Sequence, residues 1–203
     1  MPPNRRSRHR PNVSDRPASA HHSTTVIIGK PTKADQAAFL AAVRKSRALH
    51  GLWLKPPSTP QAFAKYLQRL DQPDCDACLV RQRDSGELIG VFNLNNIIRG
   101  PFQNAFLGYY AFQPYAGRGL MFDGLQLVLR YAFTTLRLHR LEANIQPRNA
   151  KSIALVRRCG FSHEGFSRSY LKVAGRWRDH ERWAIVASDW RVREAHRVTA
   201  PGR

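Results

Sequence analysis

Acidic residues are scarce in this chain: 14 Asp and Glu face 33 Lys and Arg over 203 residues, for a formal charge of +19. That imbalance raises encounter rates with anionic partners such as phosphates and RNA, and slows the approach of polycations. Long apolar runs are missing as well. No stretch approaches the roughly 18 residues of a bilayer span, and the N-terminus lacks a hydrophobic h-region, so membrane insertion and secretion are both disfavoured. Cysteines number only three, an odd count that suits a reducing, cytoplasmic setting better than a disulfide scaffold. Cys75 and Cys78 have redox or half-zinc spacing, but no second Cys/His pair with metal-site spacing accompanies them, and no metal is expected. No internal repeat and no Ser-His-Asp arrangement is legible.

What is present suits one folded domain with a real core: 42% hydrophobic residues at a mean hydropathy of -0.47. Residues 1–24 stand apart. They carry five arginines, one aspartate and four prolines with almost no large apolar side chains, too little to offset the entropy of ordering. A disordered basic tail is expected over 1–23, a folded domain over 24–190 and a basic C-terminal extension over 191–203. Organelle transit peptides share the tail's Arg-rich, acid-poor composition, but its spread prolines oppose an amphipathic helix. The tail holds a net +4, which leaves +15 on residues 25–203, so the fold itself is basic.

The β-branched run from Thr24 to Ile28, closed by Gly29, predicts a strand. Thr32 and Asp35 form a capping-box pattern ahead of Ala38, Phe39, Ala42 and Val43 at helical spacing, up to about His50. A second helix is expected after Pro60, with Phe63, Tyr66, Leu67 and Leu70 on one face. Strand signals follow over 78–83, 87–98 and 105–112, the first two joined by the Asp84-Ser85-Gly86 turn. Leu125, Val128, Leu129, Ala132, Phe133 and Leu136 mark a long helix from Gly119, and Leu141 to Ile145 reads as the next strand. Asn149 caps a further helix that Gly160 ends, and 162–186 reads as a hairpin turning at Ala174-Gly175. The order is α+β, with a mixed, largely antiparallel sheet flanked by helices: strand, long helix and strand over 105–145 make a crossover, and hence a parallel pair.

Between the strand ending at Phe112 and the long helix stands Gln113-Pro114-Tyr115-Ala116-Gly117-Arg118-Gly119-Leu120-Met121. Two glycines two apart at a helix N-terminus leave backbone N–H groups able to face an anion, helped by the helix dipole and by Arg118. Taken alone, the pattern fits a plain tight turn equally well. It lacks the further glycine of a dinucleotide fingerprint and the Lys-Ser/Thr of a P-loop.

Several motifs join it. They are Leu138-His139-Arg140-Leu141-Glu142-Ala143, Pro147-Arg148-Asn149-Ala150-Lys151-Ser152, Cys159-Gly160-Phe161 with Glu164-Gly165, Tyr170-Leu171, and Gly175-Arg176-Trp177-Arg178-Asp179-His180. With Gly117-Arg118-Gly119 they resemble the GNAT acetyltransferases of RimJ/RimL type, over roughly residues 24–190. Gly119 to Phe122, and Phe92 to Asn96 with Arg99-Gly100, resemble most the ribosomal-protein alanine N-acetyltransferases that modify the fifth small-subunit protein. The resemblance implies acetyl-CoA as donor. Its pyrophosphate would lie on the turn from Ala116 through Gly117, Arg118, Gly119 and Leu120 to Met121, its pantetheine along the splayed strand end at Ala111 and Phe112, and Asn149, Lys151 and Ser152 would complete the site. It further implies an N-terminal amine as acceptor, with a ribosomal protein or the ribosome as partner; the basic surface suits RNA contact. The alternatives are another peptide or small amine as acceptor, or a ribosome- or RNA-binding assembly factor with vestigial catalysis. The broad superfamily pattern, Gln/Arg-x-x-Gly-x-Gly/Ala, is departed from at Ala116 and Met121: Ala116 forfeits a side-chain contact, which predicts a weaker or differently held cofactor, while Leu120-Met121 resembles the alanine acetyltransferase subgroup.

Acetyl transfer to an amine needs a neutral nucleophile, a polarised thioester carbonyl and a proton for the departing thiolate. An α-amine, with a pKa of about 7.7 to 8.0, is already partly neutral, so base assistance can be modest and oxyanion stabilisation by an N–H near Phe112 becomes the larger contribution. Spacing alone lets Asn149 and Ser152 merely cap their helix; the resemblance assigns Ser152 to thiolate protonation. RimL-like relatives place a glutamate before Tyr-Leu, where this chain has Ser169. Glu142, on the strand beside the splay, is the candidate base, directly or through a water, with pairing to Arg140 or Arg148 as its alternative. Glu164 is expected to be structural, and Asp179 and His180 to pack at the sheet edge. Trp53, Tyr109, Tyr110 and Phe112 suit either an acceptor-stacking surface or the core.

Overall fold

The computed structural model describes residues 25–51 and 53–199, so the tail expected over 1–23 lies outside the described residues. In chain order the elements are β1 (Val26–Gly29), α1 (Gln36–Lys45), α2 (Arg47–His50), α3 (Pro60–Leu70), β2 (Asp76–Gln82), β3 (Leu88–Ile98) and β4 (Asn104–Ala111). They continue with α4 (Leu120–Arg130), β5 (Arg140–Ile145), α5 (Ala150–Cys159), β6 (Ser162–Val173), β7 (Arg176–Val186) and α6 (Ala187–Thr199). The strands form one sheet in the order β1-β2-β3-β4-β5-β7-β6. Every neighbouring pair is antiparallel except β4 and β5, which the α4 crossover makes parallel.

That parallel pairing is short: Asn104, Ala105 and Phe106 face Arg140, Leu141 and Glu142, and no pair follows. Past Phe106 the two strands diverge and open a splay in the middle of the sheet. Strand alternation divides the core between the two faces. Cys78, Val80, Phe92, Leu141, Ala143, Trp183 and Ile185 join the side chains of α4, α5 and α6 in one cluster, while Ala77, Leu79, Val91 and Phe112 join α1 and α3 in another. The α1–α3 cluster contains no residue of β5, β6 or β7. On that face the alternate residues of β5 and β7, including Asn144 and His180, are therefore left beside the splay rather than under a helix.

Three boundaries differ from expectation. The helix expected to run to His50 breaks at Ser46, whose hydroxyl donates to the Ala42 carbonyl at 2.7 Å and accepts from the Gln113 amide at 2.9 Å. Such back-bonding competes with the helical ladder and here ties the break to the end of β4. Ser46→Ala leaves the Gln113 N–H without that partner, and should lower stability by about 1–3 kcal/mol, read as an earlier midpoint in urea. The long helix ends at Arg130 and passes into a π turn over Tyr131–Thr135. The boundary expected at 190 falls inside a helix: α6 runs over Ala187–Thr199, and Trp190, only 7% exposed, packs 5.5 Å from the Phe133 ring.

Candidate active site

The splay holds a cleft with two lobes. One, of about 470 Å3, runs from the turn before α4 to the start of α5; the other, of about 560 Å3, lies between α3, the Trp53–Pro57 loop and β5–β7. They share Trp53, Leu54, Tyr109, Tyr110, Asn149 and Ser152.

At the first lobe, Gly117 and Gly119 adopt φ of 83° and 82°. A Cβ at either would meet nothing within 4 Å, so backbone conformation and not crowding calls for glycine here. The Phe122 and Asp123 amides bond back to the Gly119 carbonyl, and among the described residues the amides of Gly119, Leu120 and Met121 have no acceptor. These are the orphan donors of a helix start, aimed where an anion fits. The bulk of Met121 is accommodated by a neighbour: any side chain at Gly90 would collide with its sulfur.

Of the residues named for the cofactor, Ala111, Gly117, Gly119, Met121, Asn149, Lys151 and Ser152 line this lobe; Phe112, Arg118 and Leu120 do not. Arg118 is exposed, its guanidinium 5.9 Å from the Tyr115 ring. Phe112 is fully buried among Phe39, His50 and Tyr110, and its N–H donates to the Ile89 carbonyl at 2.7 Å. It cannot serve as the oxyanion donor. Because strand amides alternate in direction, the N–H groups of Tyr109 and Ala111 face the splay instead. Arg158 lines the lobe too, 3.9 Å from the Phe122 ring; its place on α5 two turns past Lys151, on the same helix face, was the signal for it.

Ser152 stands where the lobes meet. Its amide donates to Asn149 Oδ1 at 3.3 Å, so Asn149 caps α5. Its hydroxyl lies 2.6 Å from the Tyr109 hydroxyl, which itself donates to the Ser152 carbonyl at 3.0 Å. Burial pushes the Tyr109 phenol well above its ordinary range, so it stays protonated. Capping belongs to Asn149, and the Ser152 hydroxyl, which donates to Tyr109, takes no part in it.

Glu142 is not where a base is needed. It is 7% exposed, lines neither lobe, and its carboxylate accepts from Asn104 Nδ2 (3.1 Å), Arg140 Nε (2.9 Å) and Arg182 Nη2 (3.1 Å). This corrects its assignment as base. It anchors the short parallel pairing below the splay, with Arg140 also reaching Glu164, whose acidity that partner increases. Ser169 is exposed in a bulge of β6, its amide held by Asp179 Oδ1 at 2.7 Å. Two histidines, by contrast, come to the cleft. His50 Nε2 sits 2.7 Å from the Ala111 carbonyl while its Nδ1 is buried without a partner, and His180 lines the second lobe. Cys78 is buried in β2, its thiol pushed up to about 12 by desolvation, which makes it inert. Among the described residues no group of three or more His, Cys, Asp or Glu is placed to hold a metal, and no helix is long and apolar enough to cross a membrane.

Residues 25–162 match the family described as acetyltransferase (GNAT) domain. The ribosomal protein uS5-alanine N-acetyltransferase of Escherichia coli is 43% identical over 107 residues, 53% of this chain and 55% of the relative, so the chain spans little more than half the length of that protein. The ribosomal-protein-S5-alanine acetyltransferase of Vibrio fischeri has a TM-score of 0.74 at 25% identity, over 83% of this chain and 97% of its own. Mycobacterium smegmatis RimJ, in complex with CoA-disulfide, has a TM-score of 0.73 at 26% identity, over 85% and 90%. With the family match running from β1 to the start of β6 around this two-lobed splay, the chain belongs to the GNAT acetyltransferase family.

Proposed function

We propose that the protein transfers an acetyl group from acetyl-CoA to the α-amine of an N-terminal residue, with alanine of a small-subunit ribosomal protein as the acceptor. One observation carries this: Ser152 lines both lobes, so a thioester laid along the first and an amine entering by the second would meet beside its hydroxyl. The unpaired amides at the start of α4 suit a pyrophosphate, with Lys151 and Arg158 adding charge. The splay-facing N–H groups of Tyr109 and Ala111 suit the developing oxyanion, and the Ser152 hydroxyl suits the departing sulfur.

The charge of the second lobe bears on the acceptor. Lys55, Lys65 and Arg69 line it, with no Asp or Glu among the described residues. Like charges nearby disfavour an ammonium and so favour the neutral, nucleophilic amine. A peptide terminus loses its one charge there and enters; a polyamine keeps others and is repelled. The names of the E. coli and V. fischeri relatives support a ribosomal acceptor, and the overall charge of +19 suits an RNA-rich, cytoplasmic target.

Incubation with acetyl-CoA and a peptide copying an alanine-first ribosomal N-terminus should release CoA thiol and yield α-acetylated peptide by mass spectrometry. Spermine should give no release above hydrolysis. Turnover of the polyamine alone would overturn the acceptor, and no turnover beside salt-sensitive RNA binding would favour an assembly factor with vestigial catalysis.

A further inference from the structure

The acceptor lobe offers an amine two acceptors and no carboxylate. Asn144 Oδ1 is buried there without a partner, and His180, 3% exposed, faces the same lobe from β7. His180 Nδ1 lies 3.0 Å from the Arg178 carbonyl. A carbonyl can only accept, so Nδ1 carries the hydrogen and the neutral ring keeps its lone pair on Nε2. Nε2 has no hydrogen-bond partner among the described residues.

We propose that His180 Nε2 takes the proton of the incoming ammonium while Asn144 Oδ1 orients it, an inference that rests on the acetyltransferase function above. The ammonium gives one proton to Nε2. The freed lone pair attacks the thioester carbon, the C–N bond forms and the C–S bond breaks. A second proton, from the nitrogen of the adduct, reaches the sulfur through the Ser152 hydroxyl, and the imidazolium returns its proton to water. Atoms and charges balance with no other reactant.

The surroundings keep the ring neutral near pH 7. Desolvation lowers its pKa below 6.5, outweighing the Arg178 carbonyl and Asp179, which raise it. The Tyr170 ring faces it from β6 at 5.9 Å, Arg182 follows on its own face of β7, Asn144 and Gln146 come from β5 and its end, and Lys55, Lys65 and Arg69 line the same lobe. Only the neutral ring accepts a proton, so activity is present above the lowered pKa and lost as pH falls through it.

The test compares wild type with His180→Gln on the alanine-first peptide, from mildly acid to mildly alkaline pH. Wild-type kcat/KM should show two limbs, one for the acceptor amine and one below pH 6.5 for His180. His180→Gln should lower kcat/KM about 100-fold and erase the lower limb, with acetyl-CoA affinity retained. Unchanged turnover, or lost turnover with the lower limb intact, overturns the role. Should the variant not fold, the wild-type profile decides, because a single limb at the amine's own pKa overturns it equally. No wild-type turnover at any pH overturns the acetyltransferase function together with it.

Discussion

Ser152→Ala is expected to lower kcat by about 100-fold while acetyl-CoA affinity stays within about twofold, since the lost interaction forms mainly with the departing thiolate. The fold should tolerate it: α5 is capped by Asn149 through the Ser152 amide, which alanine keeps. The Tyr109 contact supplies the discriminating measurement. Tyr109→Phe removes the group that holds the Ser152 hydroxyl at 2.6 Å and should cost a smaller part of kcat. If the two act as one unit, the double variant matches Ser152→Ala alone instead of multiplying the losses. Unchanged kcat in Ser152→Ala would leave the hydroxyl with no catalytic task, and multiplying losses would separate it from Tyr109.

Gly119→Val should weaken acetyl-CoA binding by about 100-fold or more: a left-handed L-residue costs about 1–2 kcal/mol, and the added side chain fills the space that the cradle leaves for phosphate. Gly86→Val is the matched control. It too has positive φ, 71°, and open space around its Cβ, but sits in the turn between β2 and β3 and lines neither lobe. Both variants should lose similar stability in urea, and only Gly119→Val should lose affinity by calorimetry. Equal affinities in the two would show that the turn before α4 is not the phosphate cradle.

Local features were legible in the chain because they follow from adjacent residues. The α4 periodicity, the Gly117-Gly119 turn, the Asn149 cap and the crossover that makes β4 and β5 parallel all depend on spacing within one segment. Phe112 shows how narrow that reach is. Its place at the strand end is right, but a one-residue phase sends its amide to Ile89 and leaves the splay to Ala111 and Tyr109.

Glu142 and His180 mark the boundary from the other side. A strand glutamate between arginines reads the same whether it is a base or an anchor; what settles it is Arg182, 40 residues away, brought alongside because β7 inserts between β5 and β6. The same insertion carries His180 from an expected packing position to the cleft, and the α1–α3 cover stopping at β4 leaves that cleft open. Hydrophobic period and turn chemistry are properties of a segment and can be read along it. Which donors fill a carboxylate and which ring nitrogen meets a cavity are properties of strand order and register, which exist only once distant segments pair.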